Sequence, residues 1–586
     1  MLTIVFTYPL IFELTDKIPG DGIDGYWFLW NLWRFKQSFD AGKDVFFSDS
    51  TYYPTGAPLY LSTTAPLLSL LSVPLQNSLG LIGAFNSIYL LAYILSGYTM
   101  YWLVKYLSKD KWAAFLAGII FTFSPFHTVH AFAGQLNLIS MKFIPLFVLA
   151  YFKMKESPTP LRIAFAAVAL ALTAYSEFMY FGLCFLFILF DVFHSHFMEK
   201  QPLQLHTLKS HFYLLSLSAI LLLPYLTGIV YQLIFVPYTQ STSLLLTHIY
   251  SADLGAFLIP FEMNPFLSPH FKYFYTLIYK RLASTTVIYE GTHYLGLSVI
   301  LLTLYAWLKI KTVEIKRWFN FSLTALIFSL GPFPTIFGYT IPFILPYFYI
   351  SFLPFFSMFR VPARFTLFVM LGVSILAAFG FLEIRKRLAH RPLFSILFPL
   401  VILSLILIEF WAPPAGYWDL SRSSFYDVLG QDQNDYVTFY VPQEKTGQFS
   451  LYSSRLVFLQ TIHQKTMVGG GLSRFPNYIF NFTRQWCIEN IADLTFTHPC
   501  SPSDYVQALG PDIRYILYNK DYPVWLAHNQ TLALAQLEEL FGPPVFEDDE
   551  LIAYCRFNCT PIPTQRKRAS LTIQDMESLV RPEAFA

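Results

Sequence analysis

Residues 365–411 read FTLFVMLGVSILAAFGFLEIRKRLAHRPLFSILFPLVILSLILIEFW. Two apolar runs, Phe365 to Leu382 and Leu393 to Trp411, flank a short loop that carries Arg385, Lys386, Arg387 and Arg391. A hydrocarbon layer about 30 Å thick takes about 20 helical residues per crossing, so each run has the length of one membrane span. Basic residues collect in cytoplasmic loops, which puts this loop inside and everything after Trp411 outside.

The same pattern repeats toward the N-terminus. Apolar runs extend from Leu81 to Val104, Trp112 to Phe132, Ile139 to Tyr151, Ile163 to Tyr175, Phe178 to Phe193, Phe212 to Val236, Tyr294 to Leu308 and Phe319 to Leu330. A further short run, Leu2 to Leu14, lacks a basic flank and a cleavage site, so it does not read as a signal peptide. The total is about eleven spans. Four more loops hold the basic residues: Lys105/Lys109/Lys111, Lys153/Lys155/Arg162, Lys200/Lys209 and Lys309/Lys311/Lys316/Arg317. The segments 16–60, 124–135, 237–291 and 331–364 are then extracytoplasmic. Parity holds if the proline-rich stretch Pro332 to Pro354 is a re-entrant or interfacial hairpin, because prolines interrupt a spanning helix.

Composition agrees with lipid as the main solvent: 55% of residues are hydrophobic, 19% aromatic and 13% charged, with a mean hydropathy of +0.47. A net charge of +2 gives no reason to expect nucleic acid as a partner. Beyond Trp411 the pattern changes to short alternating runs, Arg514 to Tyr518 and Leu551 to Tyr554, with an amphipathic stretch from Thr531 to Phe541 between them. The expected fold is an all-α polytopic membrane domain over 1–411, a small extracytoplasmic α/β domain over 412–563, and a polar, disordered tail over 564–586. Cys184 lies in a membrane run, whereas Cys487, Cys500, Cys555 and Cys559 all fall outside. An even outside set permits two disulfides; free thiols are the alternative, and no spacing suggests zinc.

The first outside loop opens Gly20-Asp21-Gly22-Ile23-Asp24-Gly25 and continues into Tyr26-Trp27-Phe28-Leu29-Trp30. Its aromatic run fits a helix lying in the lipid–water interface, which would hold two carboxylates at the membrane mouth. The bland reading is that Asp24 caps this helix and Asp21 occupies a glycine turn. A second cluster, Arg360-Val361-Pro362-Ala363-Arg364-Phe365, sets two guanidiniums at the outer start of a span, suited to a phosphate or to lipid headgroups. Glu290 and His293 stand at another outer helix start, where Glu290 also suits the helix dipole. His127, His130, Gln135 and Asn137 lie on an outside turn, and Glu177 sits at an outside connection. Gly469-Gly470-Gly471 lacks a phosphate-loop lysine and reads as a turn. No zinc-helix or serine-hydrolase motif is present.

Together these residues resemble the GT-C superfamily of integral-membrane glycosyltransferases. The resemblance rests on Asp21 and Asp24, the aromatic helix after them, Tyr52-Tyr53-Pro54-Thr55-Gly56, Arg360/Arg364 and the C-terminal outside domain. It implies an enzyme of the inner (plasma) membrane that moves a sugar from a polyprenyl-phosphate donor to an envelope glycan, lipid or protein on the extracytoplasmic face. It assigns catalysis to Asp21 or Asp24, beside which Arg360, Arg364, Glu290, His293, His127, His130, Gln135 and Tyr53 are the expected substrate-binding residues. The acids stand three apart, so the adjacent Asp-Glu pair and the metal-using Asp-x-Asp of other GT-C groups are absent. No metal ligand and no cofactor beyond the lipid-linked donor are assigned. A transporter or flippase of lipid-linked glycans, and a non-catalytic scaffold of envelope assembly, are the alternatives.

Overall fold

The first apolar run quoted above forms, in the computed structural model, the helix Thr366–Leu388, entered through a 3-10 turn at Pro362–Phe365. The structure describes all residues except 21–22, 203, 238–242, 280–288, 353–359, 413–415, 419, 444–450, 475, 521–529, 558 and 560–586. Asp21 and the C-terminal tail therefore lie outside the described residues.

The chain divides into two compact units. The first comprises Met1–Asp21, Ala65–Pro224 and Ser241–Trp418 and is mainly helical, with the short ladders Ile18–Pro19 on Tyr417–Trp418 and Thr335–Ile336 on Tyr339–Thr340. Among the described residues six helices are long and apolar enough to cross a membrane: Pro66–Ser108, Lys111–Phe132, Phe178–Met198, Leu205–Phe235, Pro362–Leu388 and Pro392–Glu409. Pro160–Ser176 and Leu297–Lys309 are shorter apolar helices. The eleven expected spans are thus not all reached by length. Leu2–Phe6 stops before Pro9, which carries no amide donor, and the chain continues as the 3-10 turn Leu10–Phe12.

The two helices of the opening stretch play different parts. The apolar window of Pro362–Leu388 is 94% buried inside the protein, that of Pro392–Glu409 only 6%. The former is the central helix, packed by Lys111–Thr122, Leu297–Lys309 and Val313–Ser329. The latter faces outward, as a lipid-facing helix does. Close packing at the central helix depends on a small residue, since a Cβ at Gly380 would stand 2.2 Å from the Leu302 carbonyl oxygen. In the proline-rich stretch the strands Thr335–Ile336 and Tyr339–Thr340 form a hairpin. Asp253 anchors it by accepting the amides of Phe337 and Gly338 at 2.9 and 2.8 Å.

Near the expected inside loops, charges are buried in pairs. Asp191 accepts from Lys155 and from Tyr151 Oη, and Glu199 Oε1 accepts from Arg317 Nη2 at 2.6 Å and from His194 Nδ1 at 3.1 Å. Each carboxylate has a cation against it, the condition under which buried charge is tolerated.

The second unit comprises Gly22–Thr64, Tyr225–Gln240 and Asp419–Ala586. Its five-stranded sheet runs in the order Phe546–Glu547, Leu551–Cys555, Ile513–Asn519, Val437–Val441, Thr466–Val468. Val437–Val441 is parallel to both neighbours and the remaining pairs are antiparallel, which makes the unit α/β. The first-loop helix Ile23–Asp40 belongs to this unit. Its aromatics are buried by protein rather than laid in a lipid interface: Tyr26 stacks on Phe458 at 4.9 Å and Trp30 Nε1 donates to Gln460 Oε1 at 2.7 Å. The chain after it covers the exposed edge of Thr466–Val468, with Met467 N donating to Ser50 O at 3.0 Å and Tyr53 N to Met467 O at 3.2 Å. Trp30 is fully buried. Trp30→Ala is therefore expected to cost the second unit about 3–5 kcal/mol in a denaturant titration. A loss below about 1 kcal/mol would place this helix outside the core.

Cys487 pairs with Cys500. Denaturing, non-reducing alkylation is expected to leave Cys487 and Cys500 unlabelled, and reduction to cost about 2–4 kcal/mol. Full labelling of both without reductant would contradict the pairing.

Candidate functional site

The Arg-x-Pro-x-Arg-Phe segment is placed by its backbone before its side chains act. Pro362 opens the 3-10 turn that leads into the central helix, and Ala363 N donates to Tyr250 O at 3.1 Å. Arg360 and Arg364 consequently stand at the entry of the most buried helix of the first unit, and their surroundings differ sharply.

Arg364 is fully committed. Its Nε and Nη2 both donate to Glu290 Oε1, at 3.0 and 2.6 Å. The other oxygen, Glu290 Oε2, faces His130 Nε2 at 3.9 Å, and His130 Nδ1 meets Gln135 Oε1 at 2.5 Å. Burial alone would raise the Glu290 carboxyl; Arg364 and His130 outweigh it and hold that carboxyl below its ordinary value. A depressed carboxyl stabilises the fold above its unfolded-state pKa, so this contribution is present at neutral pH and lost in acid. Beside this chain Asn137 donates to Glu177, and Tyr180 Oη donates to Leu138 O. His293 Nδ1 lies 3.0 Å from Thr366 Oγ1 in the first turn of the central helix.

Arg360 is half-buried and has neither hydrogen bond nor ion pair among the described residues. Burial and the neighbouring Arg364 charge push its guanidinium down from the ordinary value, although Glu290 works the other way. An uncompensated cation at that depth has the electrostatics of an anion site.

Of the residues singled out in the sequence, Glu290, His130, Gln135 and Arg364 thus form one chain of contacts, with His293 at the same helix entry. His127 does not join them. It is buried between main-chain carbonyls, with Nε2 3.1 Å from Ile139 O, and its ring packs at a tilt against Tyr93, centroids 4.3 Å apart, which makes it a core residue. Tyr53 belongs to the second unit, where its Oη donates to Asp512 Oδ2 at 2.6 Å. Asp24, half-buried in the first turn of Ile23–Asp40, belongs to the second unit as well. Asp21 lies outside the described residues.

Sequence reasoning passed over Lys142. It is 4% exposed, its Nζ donates to Ser140 Oγ at 3.1 Å, and no carboxylate pairs with it among the described residues. The signal was present, since a lysine inside the apolar run Ile139 to Tyr151 is costly wherever it is not used. Among the described residues no three His, Cys, Asp or Glu side chains are placed to hold a metal ion.

A family model described as a domain of unknown function, DUF6311, matches residues 20–407. No curated protein matches the sequence. Among solved structures the chain is similar to an oligosaccharyltransferase of Archaeoglobus fulgidus, at 14% identity and a TM-score of 0.44, covering 88% of this chain and 66% of that one. It is similar to the arabinofuranosyltransferase AftD from Mycobacteria, at 13% identity and a TM-score of 0.44, covering 88% of this chain and 36% of that one. It is also similar to ArnT from Cupriavidus metallidurans bound to undecaprenyl phosphate, at 9% identity and a TM-score of 0.48, covering 96% and 99%. These neighbours are GT-C glycosyltransferases. The chain spans just under two thirds of the oligosaccharyltransferase and about a third of AftD.

Proposed function

This chain belongs to the DUF6311 family, and we propose that it is a glycosyltransferase that moves a sugar from a polyprenyl-phosphate donor to a cell-envelope acceptor on the extracytoplasmic face of the inner membrane. The observation that carries the reading is the contrast at the entry of the central helix: Arg364 is neutralised by Glu290, while Arg360 beside it has no ion pair among the described residues.

A phosphate leaving group is already acidic and needs no general acid, unlike the two-carboxylate chemistry of glycoside hydrolysis. Two tasks remain. The acceptor hydroxyl must lose its proton, and the departing phosphate must be stabilised. An aspartate of ordinary pKa about 3.9 is ionised at neutral pH and serves as base, which is the role assigned to Asp21 or Asp24. Arg360 takes the phosphate charge as the bond to the sugar breaks. Arg364, Glu290, His130 and Gln135 position that guanidinium by fixing the start of the helix, and His293 buttresses the same turn through Thr366. The apolar helices hold the polyprenyl chain. The alternation of basic loops supports an extracytoplasmic second unit, and the acceptor is an envelope glycan, lipid or protein.

Arg360→Lys keeps the charge but loses the planar fork. With a defined polyprenyl-phosphate sugar in detergent, it is expected to raise KM about tenfold, and Arg360→Gln to lower kcat/KM about a hundredfold or more, as for loss of a charged contact to a developing anion. Wild-type kinetics in both variants would remove Arg360 from the site.

A further inference from the structure

The connection between the helices Val313–Ser329 and Thr366–Leu388 of the first unit has the composition of a membrane segment without the form of one. From Trp318 to Phe359 no side chain carries a charge. The described part beyond the first helix, 331–352, holds Pro332, Pro334, Pro342 and Pro346, which rule out a continuous spanning helix. Tyr339, Phe343, Tyr349 and Phe352 are 61–71% exposed there, and Ile341 and Ile344 are exposed between them. Large apolar side chains gathered on one uncharged surface mark an interaction face rather than a face kept in water.

The backbone says what covers that face. The prolines have no amide hydrogen to satisfy. Ile341 N and Leu345 N donate to Pro334 O and Pro332 O at 2.8 and 3.0 Å, and Phe343 N donates to Ile341 O at 2.7 Å. Phe337 and Gly338 give their amides to the Asp253 carboxylate, and Ile336 pairs with Tyr339 in the hairpin. An irregular segment in water can leave amides to the solvent, whereas one at membrane depth must satisfy them within the protein, as these are. Exposed tyrosines suit the headgroup level rather than the bilayer centre. The segment abuts the entry of the central helix, where Tyr347 packs edge-on to Phe365, ring centroids 6.2 Å apart.

From this we propose that 332–352 is seated in the lipid–water interface of the leaflet opposite the basic loops, so that a lipid-borne phosphate reaches the Arg360 entry sideways, without leaving that leaflet. The seating rests on the surface and backbone alone. The sideways route rests on the glycosyltransferase reading as well. Residues 353–359 are no part of it.

The test places an environment-sensitive fluorophore on Phe343→Cys or Tyr349→Cys in the full-length protein, reconstituted in vesicles of phosphatidylethanolamine and phosphatidylglycerol. Unaltered protein carried through the labelling is the blank, and Leu400→Cys, on the outward face of Pro392–Glu409, marks full lipid contact. Both labels are expected about 5–10 Å below the headgroups, shielded from aqueous iodide and quenched more by a nitroxide high on the acyl chain than by one low on it. Quenching by iodide alone would put the segment in water. Quenching by neither would mean that protein, such as a second copy of this chain, covers it. Strongest quenching by the deep nitroxide would make it re-entrant. Each of these overturns the seating. For the route, the double variant Phe343→Glu with Tyr349→Glu is expected to raise KM about tenfold for a long-chain polyprenyl-phosphate sugar and to leave a short-chain, water-soluble donor within about twofold, with thermal unfolding as in the wild type. An equal rise for both donors, or none for either, removes the sideways route. Lipid-quenched labels in a protein that turns over no donor leave the seating in place and remove the glycosyltransferase reading; turnover with labels open to iodide does the reverse.

Discussion

Glu290→Gln is expected to lower the stability of the first unit by about 3 kcal/mol, the lower end of the cost of breaking a buried ion pair. Glutamine keeps the shape and can still accept one N–H, but it leaves the Arg364 guanidinium and His130 facing a neutral group. The lower end applies because the Arg364 side chain retains 22% exposure while Glu290 retains 7%, so water screens part of the loss. The double variant Glu290→Gln with Arg364→Met removes both charges and is expected to recover most of the loss, since an apolar replacement of a whole buried pair is near neutral. Unfolding of the purified protein in detergent separates these cases. A single-variant loss below about 1 kcal/mol, with no recovery in the double variant, would mean that Arg364 is held by something other than Glu290.

The fold was legible where a short-range pattern carries it. Apolar runs between basic loops anticipated the long helices, and alternating runs anticipated the strands Ile513–Asn519 and Leu551–Cys555 with the helix Gln530–Phe541 between them. What the sequence could not separate were two kinds of apolar surroundings. Thr366–Leu388 and Pro392–Glu409 are similarly apolar, yet one is central and the other peripheral, because a protein interior and lipid select the same side chains. The same degeneracy misled the reading of Tyr26 to Trp30, whose aromatics suit a lipid interface and equally suit burial against Leu451–His463. Glu290, His130, Gln135 and Arg364 stood out in the sequence as single residues, but their pairings did not. Arg364 and Glu290 lie 74 residues apart, and no local pattern says that one arginine of the motif is neutralised and the other is not.

The catalytic carboxylate carries the largest expected effect. Asn nearly preserves the size of Asp but cannot take up a proton as a carboxylate does, so loss of a true base lowers the rate about 100- to 10,000-fold. Asp24 occupies the first turn of Ile23–Asp40, where an acid favours the helix dipole by about 0.3–1 kcal/mol without any part in chemistry. Asp21, in the Gly20-Asp21-Gly22 stretch of the sequence, is the base we favour. Asp24→Asn is then expected to leave transfer within a few-fold of wild type, because a dipole contribution of that size changes stability rather than proton transfer. The most direct measurement is release of polyprenyl phosphate from a labelled polyprenyl-phosphate sugar, with envelope extract as acceptor, by wild type, Asp21→Asn and Asp24→Asn in detergent. The account predicts release by the wild type, loss of at least about 100-fold in Asp21→Asn, and unchanged thermal unfolding of all three. Release at the wild-type rate by both Asn variants would contradict it.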